Sequence, residues 1–257
     1  MRKLLISLLA VSSSASFAVA NNSEFQEFLN EANIGWGMNQ TVSSYGTGAK
    51  APGNLIGTGN NLNLEAERLF NSGVWVDAVA NMQFAAGPTA IPYNAPSYGL
   101  NGKVGYAFPV ANQHLLLTPY AQVGMNNNAS TMVNELLLNS TPGITANNFV
   151  WTAGAGGRIE YRINRWIDIY GDQNAVYNWD QTGTTLGIMP QNYASFTSTL
   201  GARFNLAPNF QLGVKGYYTN YQNYASNMIN LPAPVGGVPF AQNNSTIGGL
   251  ISLGLTY

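Results

Sequence analysis

Few of the 257 residues could build a reaction centre: there is one histidine and no cysteine. His114 falls in the short connection between a segment ending at Phe108 and one starting at Leu115, with no acidic neighbour in sequence. General-base and triad chemistry most often needs a histidine held by an acid, so His114 reads as a solvated turn residue. Asp168 and Asp172 could form a catalytic carboxylate pair. Paired acids beside Arg and Lys are more often a structural ion network. Gly154-Ala155-Gly156-Gly157 lacks the Lys-Ser/Thr of a phosphate loop and the strand-to-helix setting, and reads as close packing within a strand. A zinc site is not expected without cysteine and with one histidine. Neither a catalytic activity nor a metal or cofactor is expected. What remains is a set of charges, Glu65, Glu67, Asp77, Lys103, Arg158, Glu160, Asp168, Asp172, Arg203 and Lys215, recurring on one face of segments of period two.

The elements that must carry these charges are strands. Charged residues make up 8% of the chain, against roughly 25% in ordinary soluble domains. Hydrophobic residues reach 46%, yet beyond the first twenty residues no apolar run approaches the ~20 residues of a membrane helix. Met1-Arg2-Lys3, the apolar stretch Leu4 to Val11 and the small residues ending Ala18-Val19-Ala20 form a secretory signal pattern, with cleavage expected after Ala20. Residues 1–20 are thus the signal peptide, 21–31 a short periplasmic helix opened by the capping box Ser23 to Gln26, and 32–257 the main domain. Loss of Arg2 and Lys3 leaves 8 basic against 11 acidic residues, a charge of −3 that argues against a nucleic-acid partner.

From residue 32 the apolar residues alternate. The dyad recurs at 32–42, 62–70, 74–84, 98–108, 115–125, 149–161, 166–178, 196–206, 210–219 and 246–257, about ten strands of the length a tilted membrane strand needs, with eight the next alternative. Tight turns at 71–73, 109–113, 163–165 and 207–209 alternate with long polar loops at 43–61, 85–97, 126–148, 179–195 and 220–245. The apolar face gathers aromatics at both ends: Phe70, Phe108, Tyr161, Phe204, Phe210 and Tyr257 on the turn side, Phe84, Tyr98, Phe149, Trp151, Tyr177, Phe196 and Tyr218 on the loop side. Aromatic girdles outside and charges inside predict an all-β, antiparallel up-and-down transmembrane barrel rather than a soluble ligand carrier. The inward charges should form a belt of both signs in the turn-side half, and their pairing should block the passage.

The signal pattern, the dyads and the last segment Thr246 to Tyr257, which ends on a terminal aromatic, resemble the small Gram-negative outer-membrane β-barrel proteins, the opacity-type and OmpA-like barrels. The resemblance covers almost the whole exported chain. It implies residence in outer-membrane lipid, insertion by the barrel-assembly machinery and a C-terminal assembly signal at Leu253, Leu255 and Tyr257. Loops on a rigid scaffold usually carry binding, and the apolar residues Leu136, Leu137, Leu138, Leu231 and Phe240 are the candidate contacts with a host or cell-surface ligand. The expected function is a non-enzymatic surface protein, structural or adhesive through its extracellular loops. A narrow channel or transporter for small, apolar solutes is the alternative.

Overall fold

Alternation commits each strand to a wet face and a greasy face, and a sheet with two such faces can avoid open edges by closing on itself. The computed structural model describes residues 23–47, 50–85, 97–110, 114–127, 149–180, 192–230 and 237–257. Helix α1 (Ser23–Leu29) precedes β1 (Glu31–Thr47), β2 (Lys50–Leu69), β3 (Val74–Ala85), β4 (Ser97–Tyr106), β5 (Phe108–Val110), β6 (Leu115–Asn127), β7 (Phe149–Asn164), β8 (Ile167–Asp180), β9 (Tyr193–Ala207), β10 (Phe210–Asn230) and β11 (Gly237–Thr256). Neighbouring strands pair antiparallel, and β1 closes the ring on β11 over the register Glu31↔Thr256 to Ser44↔Asn243. Strands β4 and β5 both pair with β6 and form one stave interrupted at Ala107, so the barrel has ten staves. At the interruption the Ala107 N–H donates to the Gly73 carbonyl at 2.8 Å. Gly73 itself closes the β2–β3 turn with φ of 86°, a conformation that favours glycine.

The strand count and alternation match the sequence expectation, but two expected loops do not. Residues 43–61 and 220–245 are largely strand: β1 runs to Thr47 and β2 starts at Lys50, while β10 runs to Asn230 and β11 starts at Gly237. Pairing continues to Thr47↔Lys50 and Asn230↔Gly237. Beyond the membrane both faces of a hairpin can be wet, so the apolar alternation stops while the backbone ladder carries on. The expected signal cleavage after Ala20 lies outside the described residues, as do Leu136, Leu137, Leu138 and Leu231.

The two faces are opposite in character. Along β1, Ala32, Ile34, Trp36 and Met38 are exposed outward, while Glu31, Asn33 and Asn39 are buried inward. The outer face carries the expected aromatics at both ends, with Trp166 and Trp179 in addition. From Trp166 to Tyr177 the chain advances eleven residues, about 36 Å along a strand and about 28 Å along the axis of a barrel whose strands tilt by about 40°. That height matches an apolar band of roughly 25 Å with its girdles.

Candidate functional site

The lumen is where polar chemistry concentrates, and it is built in three layers. At the turn end, α1 packs into the mouth of the barrel. Phe25, Phe28 and Leu29 are buried, and Phe25 and Leu29 cluster with Leu69, Trp75, Ala107, Leu116 and Tyr120 from the lumen wall. Polar contacts fix the seat. Gln26 Nε2 donates to the Leu69 carbonyl at 3.1 Å and to Asn71 Oδ1 at 2.7 Å, and Asn30 Oδ1 accepts the Leu69 N–H at 2.8 Å. Gln211 Nε2 donates to the Phe28 carbonyl at 3.4 Å, and Arg162 pairs with Glu24 at 2.5 Å. The sequence placed this helix before the barrel and not in it; its apolar positions 25, 28 and 29 were the available sign that one face needed cover.

Above the helix lies the charge belt. All ten charged residues singled out from the alternation point into the lumen and come together there, joined by Glu31. Arg203 on β9 pairs with Glu67, with Glu160 at 2.9 Å, with Glu31 at 3.3 Å and with Asp168 at 3.3 Å. Arg158 on β7 pairs with Glu160 at 2.5 Å and Glu67 at 3.2 Å. Lys103 bridges Asp77 at 3.1 Å and Asp172 at 3.6 Å, and Lys215 meets Glu65 at 2.8 Å. Aromatics complete the packing: the Trp75 indole N–H donates to Glu67 at 2.5 Å, the Tyr120 hydroxyl donates to Asp172 at 2.6 Å, and the Tyr170 ring lies 4.2 Å from the Arg158 guanidinium and 4.7 Å from that of Arg203. Tyr170 lies flat only because Gly201 faces it, since a methyl group at Gly201 would overlap the ring. The sequence places Glu31 at the end of the helical segment 21–31, but the helix stops at Leu29 and Glu31 opens β1, two residues before Asn33 on the same inward face.

Toward the loop end the described lumen contacts join uncharged groups. Asn61 Nδ2 donates to the Tyr217 hydroxyl at 2.9 Å, Thr41 and Thr246 share a hydrogen bond of 3.0 Å, and Asn178 Nδ2 donates to Ser195 Oγ at 3.0 Å. His114 stands exposed in the turn before β6, its carbonyl accepting the Arg162 N–H at 2.9 Å. Asp168 and Asp172 serve different cations, Arg203 and Lys103. Among the described residues no group of three or more His, Cys, Asp or Glu is arranged to hold a metal ion. Leu253, Leu255 and Tyr257 face outward on the lipid side, and Phe240 lies in β11 opposite Asn227. The arrangement packs the apolar side of a helix and a crosslinked belt of ions into the lumen.

The fold is a closed ten-stranded transmembrane barrel. No protein-family model matches the chain, and no curated protein is significantly similar to it. Among solved structures it is similar to the outer membrane protease OmpT of Escherichia coli, at 9% identity over 88% of this chain and 95% of that one, with a TM-score of 0.49. It is also similar to Ail, the attachment invasion locus protein of Yersinia pestis, at 12% identity over 89% and 99% of the two chains and a TM-score of 0.33. Neisserial surface protein A matches at 9% identity over 87% and 97%, with a TM-score of 0.34. These likenesses concern the barrel and carry no residue of a site across.

Proposed function

We propose that this is a non-enzymatic outer-membrane surface protein, exported by a signal peptide cleaved after Ala20, whose sealed barrel holds its loop-side hairpins and loops out as a contact surface for a host or cell-surface ligand. The observation that supports this reading is the packing of α1 in the turn-end mouth with the Arg158–Arg203 belt above it, an arrangement that would leave transport no open path. The continuation of β1, β2, β10 and β11 past the loop-side girdle supports it, because four adjacent strands are spent on structure above the lipid. The barrel-assembly machinery is the partner during biogenesis.

Planar-bilayer recording of the refolded full-length protein is the test, and little or no steady conductance is expected. A large, steady, ohmic conductance would overturn the reading in favour of the channel. Protease added to intact cells should cut within 126–148 and spare Ser72 and Asn164, which lie at the turn end. Cleavage at those turns in intact cells would place the wrong end outside.

A further inference from the structure

At the turn end, two cations among the described residues stand without a carboxylate partner, and one of them lies on the lipid face. Among the described residues, Lys103, Arg158, Arg162, Arg203 and Lys215 all meet carboxylates, whereas Arg68 and Arg165 form no ion pair. Both lie over aromatic rings instead. The Arg165 guanidinium is 4.7 Å from the Trp166 ring, and that of Arg68 is 4.9 Å from Phe70 and 6.0 Å from Tyr257. Arg68 is exposed on the outer face between the inward Glu67 and Leu69, and it pairs across the sheet with Val76. Phe70 and Tyr257 belong to the turn-side girdle, so the guanidinium sits at headgroup depth. A guanidinium stacked on rings keeps its N–H edge free, and that edge matches a phosphate bidentately.

The surface toward the bilayer centre from Arg68 is shallow. Ala66 pairs with Ala32 on one side and Ala78 on the other, and Ala78 pairs with Gly102, where an added Cβ would touch nothing within 4 Å. Leu64, Ile34 and Leu100 stand exposed on the next row and Leu255 beside Ala32, so the small residues form the floor of a depression. We propose that Arg68, with Phe70 and Tyr257, seats the phosphodiester headgroup of an anionic phospholipid, with an acyl chain lying over Ala32, Ala66, Ala78 and Gly102. The seat opens directly onto this apolar floor, which a free phosphate would not use. Among the described residues no carboxylate pairs with Arg68, which leaves its charge for an anionic headgroup.

Native mass spectrometry of the full-length protein, released from micelles holding equal amounts of phosphatidylglycerol and phosphatidylcholine, tests this. The wild type should retain phosphatidylglycerol in preference. Arg68→Ala should lower that retention about tenfold, in keeping with loss of a charge-assisted hydrogen-bonded pair, and Arg68→Lys should lower it less. Equal retention by Arg68→Ala and wild type, equal retention of the two lipids, or full displacement by the same concentration of glycerol 3-phosphate would each overturn the proposal. Heat-modifiable gel mobility reports folding of each variant. If Arg68→Ala does not fold, Phe70→Leu removes the ring beneath the guanidinium and keeps the apolar contact; unchanged lipid retention by that variant overturns the seat as well.

Discussion

Arg203 binds more of this barrel together than any alternation pattern announces. From β9 it reaches Glu31 on β1, Glu67 on β2, Glu160 on β7 and Asp168 on β8. A cation holding four buried carboxyl groups is not replaceable by a neutral side chain, because its loss leaves several charges unpaired away from bulk water. Arg203→Ala should therefore destabilise the folded barrel by about 3–5 kcal/mol, read from urea unfolding of the protein in lipid vesicles; Lys215→Ala, which frees only Glu65 in a more open corner, should cost clearly less. Equal effects of the two substitutions would show that the belt acts only as separate pairs. That the charges face inward followed from counting residues along each strand. Which acid meets which base did not, because partners such as Arg203 and Glu67 lie 136 residues apart and are joined only when the ring closes.

The helix α1 is legible as a helix from its capping box and its apolar positions, but its docking site is assembled from four other elements. Leu69 of β2, Trp75 of β3, Ala107 between β4 and β5, and Leu116 and Tyr120 of β6 form the surface that covers Phe25 and Leu29. None of those residues signals in the sequence that a helix will sit on it. Phe28→Asp puts a charge at a fully buried position and should unseat α1. The expected result is protease cleavage within residues 23–29 in the refolded protein, which the wild type resists, with brief conductance openings in planar bilayers. Seven carboxyl groups, Glu31, Glu65, Glu67, Asp77, Glu160, Asp168 and Asp172, face four cations, Lys103, Arg158, Arg203 and Lys215, in the belt behind it, so the openings should favour cations. Anion-selective openings would show that ions pass by a route other than the belt.

For the whole molecule, the decisive property is that it is turned inside out, with water-compatible groups within and apolar groups facing lipid. Leu200 tests this directly. It is highly exposed and stands midway between Phe196 and Phe204, hence near the bilayer midplane, while its neighbour Thr199 points the other way. Leu200→Arg should cost about 2–4 kcal/mol in vesicles, the range found for cations on the lipid face of barrels at the midplane. Thr199→Ser should cost much less. In a short-chain detergent that water penetrates more readily, the penalty at Leu200 should shrink. A penalty at Leu200 that is the same in lipid and detergent would mean that this face is not in contact with the bilayer core.

Sequence alone determined the strand class, the number of staves and the facing of the ten charges, because a period of two is a local property that survives in the order of residues. It also located both girdles, since aromatics at strand ends need no knowledge of the partner strand. Tertiary structure decided the rest. The strand pairing across 43–61 and 220–245 escaped because the sequence there lacks the apolar alternation, whereas backbone hydrogen bonds do not depend on it. The charge belt and the socket for α1 came together only when β1 met β11, which brought Glu31 and Glu67 to Arg203. Closure is a property of the ring and not of any segment in it, so no stretch of the chain read by itself could have contained it.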